Sequence, residues 1–328
     1  MTILNFNTCS RCVYPSRVLL FLVASLLLFI QPIPAQYTSP APGKVYMWNY
    51  IADKTLFVRQ ASQFYSLDLT PLLSGNGNLV WKTLSTLNGP VPELELYQPI
   101  GITADSQAVI SFNPSGTVSA YALASDTWSP PLALPAGAYI YDNHYVIPMT
   151  DPRTGIVYIE VKSNDVIQML AYDPATKTRT FIPMPLTFRA PYTAYYMTWS
   201  YYMDGLVFFD SNPLDTQVKF QIYRPASNSW NYLTWNGTGP NPKYTPSING
   251  CMVSAYNGRK IIIVGGQSGF DTAPGVFIID AATLTWTEGP PVANGRGGMA
   301  CATAGDYLVL SGVGEIPFRA LSPPTHQG

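Results

Sequence analysis

Two histidines, four cysteines and a scatter of carboxylates are the residues of this 328-residue chain that could do chemistry. A pair of imidazoles, completed by oxygen ligands, can hold a transition metal. Here His144 opens the run HYVIPM beside an Asp142-Asn143 turn, while His326 sits in a tail with no periodicity. The two are not placed to meet at one ion, and no metal or other cofactor is expected. Cys9-x-x-Cys12 has the spacing of a redox or metal motif, but it precedes a long apolar run. Glu93, Glu95, Asp210 and Asp271 read as loop acids. A carboxylate pair for glycoside hydrolysis assembles only in space, and taken singly these are solvated turn residues. No G-x-S-x-G, H-E-x-x-H or phosphate-loop pattern occurs.

The positions of the cysteines depend on how the chain begins. Residues 1–17 carry Arg11 and Arg17 and no acid, Val18–Ile30 reads VLLFLVASLLLFI, and small Ala35 follows in QPIPAQ. That is the layout of a secretory signal peptide over residues 1–35. A spanning helix needs about 20 apolar residues, more than this run supplies. The mature chain is therefore expected outside the cell, without a membrane span, and Cys9 and Cys12 leave with the leader. Cys251 and Cys301 remain. Each opens a strand-like run at the same register, which allows either a disulfide or two separate buried thiols. Charged residues make up 11% of the chain and the net charge is −1, so there is no basic footprint for nucleic acid.

The elements that would position any site are clearest in Asn249–Pro290, NGCMVSAYNGRKIIIVGGQSGFDTAPGVFIIDAATLTWTEGP. Asn257-Gly258 is a turn signal. KIIIV ends at Gly265-Gly266, a turn-rich loop spans Gln267–Gly275, and the tight turn DAAT separates VFII from a strand holding Trp286. Four short antiparallel strands cannot bury two faces alone, so the unit needs neighbours like itself. The neighbours are found upstream. A Tyr or aliphatic residue followed seven positions later by Trp occurs as Tyr121/Trp128, Tyr223/Trp230 and Ile279/Trp286. Tyr172/Arg179 keeps the frame without the Trp, and in the first unit an insertion separates YSLDLT from Trp81. Markers at 81, 128, 179, 230 and 286 give a period of about 50 residues with four strands per unit. A sixth unit begins at GMACATA and DYLVLSG, and the pattern stops after Gly314.

With its double glycine and Trp286, Asn249–Pro290 resembles a kelch repeat. Over about Pro40 to Gly314 the chain is similar to secreted fungal kelch proteins labelled galactose-oxidase-like; units one to four lack the double glycine. The resemblance implies an all-β kelch-type propeller over residues 40–314, with five complete four-stranded blades and an incomplete, truncated sixth, followed by an unstructured tail over 315–328. Gly265, Gly266, Trp81, Trp128, Trp230 and Trp286 would be its structural residues. Galactose oxidase, by the same resemblance, uses two histidines, two tyrosines and a cysteine cross-linked to one of them. His144 and His326 do not supply that set, so a copper-radical oxidase is disfavoured.

The expected function is a secreted or cell-surface, non-catalytic scaffold for a protein or a cell-wall carbohydrate. The alternative is a secreted galactose-oxidase-like or glycan-active enzyme. Binding residues usually sit on loops held by a rigid scaffold. Loops between second and third strands share a face with loops between blades, and they bring Arg189, Tyr192, Trp235, Tyr244, Asp271 and Arg296 to one rim. Asn236-Gly-Thr238 is a glycosylation sequon on the same rim. The densest aromatic run, Tyr195 to Tyr202, reads as core between blades.

Overall fold

The computed structural model describes residues 2–5, 48–52, 54–60, 63–73, 80–84, 100–103, 108–113, 116–139, 148–163, 166–185, 194–211, 219–233, 250–264, 267–268, 271–272, 275–289, 296–304 and 307–314. They form a β-propeller of five antiparallel blades, each built of four strand positions. Blade one is Trp48–Ala52, Thr55–Gln60, Gln63–Asp68 and Trp81–Leu84. Blade four is Ala194–Ser200, Gly205–Ser211, Lys219–Arg224 and Ser229–Leu233, and blade five is Cys251–Ala255, Lys260–Val264, Val276–Asp280 and Thr285–Glu288. Blades two and three carry interruptions. Blade two runs Ile100–Ile102, Ala108–Asn113 and Thr117–Ala122, and its fourth position is split into Thr127–Trp128 and Leu132–Ala133. In blade three the first position is split into Ala138–Tyr139 and Met149–Thr150, followed by Val157–Ser163, Val166–Asp173 and Thr178–Pro183. Of the inner strand expected at HYVIPM, only Pro148 and Met149 lie among the described residues; Met149–Thr150 pairs with the second strand, as does Ala138–Tyr139, which ends ten residues upstream of Met149. The expected loop Gln267–Gly275 holds a small hairpin, Gln267–Ser268 against Asp271–Thr272.

The second strands explain why blades stand side by side. Alternate side chains of a strand point to opposite faces of its sheet, and in these strands both parities are apolar. In Lys260–Val264, Ile261 and Ile263 pack with Val207, Phe209 and Phe220 of blade four, while Ile262 and Val264 pack with Leu308 and Leu310 on the other side. In Gly205–Ser211, Leu206 and Phe208 face blade three, and Val207 and Phe209 face blade five. In Val157–Ser163, Val157, Ile159 and Val161 meet Ile110 and Phe112 of blade two, and Tyr158 meets Met197 of blade four. Each apolar cluster therefore belongs to two sheets, and among the described residues no blade has a dry core of its own.

The innermost strands follow one another around an axis. Trp48–Ala52 neighbours Ile100–Ile102, which neighbours Met149–Thr150; Ala194–Ser200, Cys251–Ala255 and Arg296–Ala304 continue the series, and the last lies beside Trp48–Ala52 again. The sheet between blades five and one has three strands, in the order Arg296–Ala304, Tyr307–Gly314 and Thr2–Asn5. Its outer strand pairs Thr2 with Leu310 and Asn5 with Tyr307. This strand comes from the segment read above as a leader.

The seven-residue spacing in the sequence is a cross-strand pair in blades two to five, and in blade one the insertion stretches the same pair to fourteen positions. Leu67 faces Trp81, Tyr121 faces Trp128, Tyr172 faces Arg179, Tyr223 faces Trp230 and Ile279 faces Trp286. In blades two to five the connecting turn holds one left-handed residue, Asp126, Lys177, Asn228 or Leu284. Hydroxyls on either side of it touch, at 2.7 Å for Ser125 and Thr127, 2.9 Å for Thr176 and Thr178, 2.7 Å for Ser227 and Ser229, and 2.7 Å for Thr283 and Thr285. In blade one the insertion carries the short helix Thr70–Leu73, whose Thr70 N–H donates to Asp68 Oδ1 at 2.8 Å.

Hydrogen bonds fasten neighbours together, each worth about 0.5–1.5 kcal/mol net. Trp230 Nε1 donates to Pro183 O of blade three at 3.1 Å. Gly250 N donates to Tyr196 Oη of blade four at 2.7 Å, and Thr303 Oγ1 donates to Ser254 O of blade five at 2.9 Å. Ser200 Oγ donates to Gly258 O at 2.8 Å, where blade four meets the first turn of blade five. Gly258 has φ +79°, and a Cβ added there would lie 2.6 Å from Ser200 Cα. Neither backbone can move without opening that joint. Gly258→Ala is expected to cost about 2–3 kcal/mol, left-handed strain plus overpacking, read as a lower urea midpoint at constant slope. A loss below about 1 kcal/mol would contradict the close approach.

Candidate functional site

The described residues enclose a cavity of about 670 Å³ between blades two and three, within the range of about 300–1,000 Å³ typical of small-ligand sites. Its floor is formed by the second to fourth strand positions of blade two, with Ala108, Ile110, Val118, Ala120 and Leu132. It is open at this edge because the fourth strand breaks. Ser129 keeps the ladder for one more residue: its N–H donates to Ala120 O at 2.7 Å and its Oγ accepts from Ala120 N at 2.9 Å. Pro130 and Pro131 have no N–H to continue it. Pairing resumes at Leu132 with Val118, one residue out of step with Trp128 and Tyr121. This is a β-bulge, a device that ends pairing locally and bends the strand.

The opposite wall comes from two turns of blade three, 151–155 and 173–177. Asp151 is fully buried and accepts from Arg153 N at 2.9 Å and Arg153 Nε at 3.2 Å. The Arg153 guanidinium lies 4.6 Å from the centre of the Trp199 ring and pairs with Asp204, both in blade four. The hydrogen bond to Asp151 raises its pKa further, so it stays a cation. Asp173 Oδ1 accepts from Ala175 N at 2.9 Å and Thr176 N at 3.4 Å, and Oδ2 accepts from Thr176 Oγ1 at 2.7 Å. These bonds, the Thr176 hydroxyl first, hold its carboxyl below the usual aspartate range. Tyr172 is 5% exposed and packs edge-on against Phe112, with ring centres 6.0 Å apart. Burial pushes its phenol pKa up, so it remains a hydroxyl donor. Arg179, where the other blades carry Trp, donates to Ala133 O of blade two. It makes the same reach to the preceding blade's last strand that Trp230 makes to Pro183.

The cleft lies on the face of the first-to-second and third-to-fourth turns. In an antiparallel blade that face is opposite the rim read from the sequence. Of that rim, Arg189, Tyr192, Trp235 and Tyr244 lie outside the described residues. Asp271 sits in the small hairpin and Arg296 begins the innermost strand of the three-stranded sheet. Asn236, Gly265, Gly266, His144, His326, Glu93, Glu95, Cys9 and Cys12 also lie outside the described residues. Asp210 is a correction: it belongs to the strand Gly205–Ser211, opposite Lys219, and is not a loop acid. Cys251 and Cys301 are joined by a disulfide, with Cα atoms 5.9 Å apart. In the aromatic run, Tyr196 and Trp199 are buried, while Tyr201 and Tyr202 stand exposed on the turn that follows. Trp128 is buried; Trp81, Trp230 and Trp286 are half-buried.

The sequence reading missed the cleft because its lining residues are apolar or ordinary turn residues. The one signal was Ser129-Pro130-Pro131 inside a strand pattern. Among the described residues no three His, Cys, Asp or Glu side chains gather into a set that could hold a metal ion. No described helix is long and apolar enough to cross a membrane. No protein-family model matches the chain, and no curated protein matches it.

Proposed function

We propose that this chain is a kelch-type propeller, secreted or displayed at the cell surface, that works as a non-catalytic scaffold binding protein or carbohydrate. The observation that carries this reading is the way the blades are joined. Every apolar cluster is shared by two sheets, and polar latches fasten neighbours. Such a ring holds its turns still, and a recess between blades two and three opens beside them. Rigid scaffolds with preformed recesses lose little entropy on binding. The kelch assignment rests on the fifty-residue period, Gly265-Gly266 and Trp286, and it makes the three-stranded sheet an incomplete sixth blade. Export rests on Arg11, Arg17 and Val18–Ile30; cleavage after Ala35 would take Thr2–Asn5 away and leave Arg296–Ala304 with Tyr307–Gly314 as the incomplete blade.

The test is made on protein collected from the medium of an expressing eukaryotic host. Its N-terminus is expected just after Ala35, and immobilised protein is expected to retain specific partners from a glycan array or an extracellular protein library. The same preparation is assayed for copper and for peroxide release with galactose. Stoichiometric copper with turnover would overturn the non-catalytic reading in favour of a galactose-oxidase-like enzyme. An intact N-terminus on intracellular protein would overturn export.

A further inference from the structure

We propose that the cleft between blades two and three is a binding site for a small organic carboxylate with an apolar body. This takes the rigid frame of the scaffold reading and adds a small-molecule ligand to the protein or carbohydrate partners proposed there. The argument starts from a difference between otherwise matching turns. In blade two the Tyr121 hydroxyl donates to Asp126, the left-handed turn residue five positions on. In blade four the Tyr223 hydroxyl donates to Asn228 Oδ1, at the same spacing, at 3.0 Å. In blade three that position is Lys177, which has no acceptor atom. Tyr172 is as deeply placed as its counterparts, yet its hydroxyl makes no hydrogen bond to a described residue, and Tyr172 lines the cleft. The repeat has exchanged an internal acceptor for a cation at the mouth of a cavity.

Lys177 is the lining cation with no carboxylate partner among the described residues, and it is what would draw an anion. The lining side chains include Arg153, Lys177 and one carboxylate, Asp173. Both oxygens of Asp173 are engaged by its own turn. Arg153 is engaged by Asp151 and Asp204. Lys177 is exposed and has no ion pair among the described residues. A ligand carboxylate can therefore take the Lys177 ammonium and the Tyr172 hydroxyl, while its hydrocarbon part covers Ala120, Pro131 and Leu132. A cationic ligand would meet an uncompensated lysine. A neutral apolar one would leave the buried phenol without a partner, which is costly.

The experiment titrates the full chain with octanoate and, separately, with octanamide, by isothermal calorimetry at low salt. Octanoate is expected to bind at least about tenfold more tightly, the range of one charge-assisted hydrogen bond. Lys177→Asn copies the blade-four turn: it removes the cation, suits the left-handed backbone and returns an acceptor to Tyr172. It is expected to leave the melting temperature unchanged or raised and to bring the two ligands within about twofold of each other. Tyr172→Phe is expected to weaken octanoate severalfold and octanamide by less, because the amide carbonyl accepts the same hydrogen bond without a charge. Equal binding of acid and amide by the unaltered chain, or an unchanged preference in Lys177→Asn, would overturn the site assignment. Absence of binding by both ligands would also overturn it, while leaving the scaffold reading to be judged by its glycan and protein partners.

Discussion

Replacing Trp128 by alanine is expected to destabilise the propeller by about 3–5 kcal/mol, and the same change at Trp286 by about half as much. Both indoles occupy the same place in the repeat, opposite Tyr121 and Ile279, so the difference lies in their surroundings. Trp128 is 6% exposed and sits in a cluster with Phe57 and Leu84 of blade one and Val109 and Tyr121 of its own blade, its ring centre 5.1 Å from that of Tyr121. Removing it leaves a void between two sheets that the short strand Thr127–Trp128 cannot collapse into. Trp286 is half-buried. It rests on Phe220 of blade four at 5.5 Å and on Phe277 at 5.9 Å and is less enclosed than Trp128. The lost transfer energy is smaller, and water fills the space at once. Urea unfolding of the two variants, compared at equal slope, checks the ranking. Equal losses would mean that the marker position acts through turn geometry and not through burial.

Breaking the Cys251–Cys301 disulfide has an effect of the same order. It closes a loop with a sequence separation of 50, for which chain entropy predicts about 4 kcal/mol. It also joins the innermost strand of blade five to that of the three-stranded sheet, where Thr303 Oγ1 to Ser254 O is the other polar link described. Cys251 is fully buried and Cys301 half-buried. The Cys251→Ala/Cys301→Ala double variant avoids leaving a lone thiol. It is expected to unfold at a lower midpoint than the oxidised parent and at the same midpoint as the fully reduced parent. A parent whose stability does not respond to reduction would show that the cysteines are not bonded in solution. The two open readings of this pair were separable only in three dimensions. Matching cysteines on neighbouring blades are within bonding reach only on the strands nearest the axis, where the sheets converge.

The repeat frame was legible because it is local. A seven-residue hairpin step brings Tyr223 opposite Trp230 within one turn, so spacing along the chain reports spacing in the sheet. The doubly apolar second strands, such as KIIIV and GLVFF, were legible for a similar reason: both parities must be dry when both faces are covered. The interrupted strands were harder to read. Pro130-Pro131 announced a break, but the first half of blade three's inner strand at Ala138–Tyr139 is recognisable only by its partner Ser163-Lys162. The role of Arg179 was hidden too, since the sequence shows a missing Trp and the structure shows a guanidinium making the indole's reach to the preceding blade.

By itself, then, the sequence determined what a blade is: four short strands, the turn that joins the last two, and a length near fifty residues. Those features depend on backbone sterics and on apolar periodicity within one unit. The tertiary structure alone decided which sheets share a core, that Cys251 meets Cys301, that Thr2–Asn5 lies along Tyr307–Leu310, and that a recess opens at the bulge between blades two and three. Each of these is a contact between units, not within one. Their proximity follows from how the sheets are arranged around the axis, for which no single unit carries a local signature.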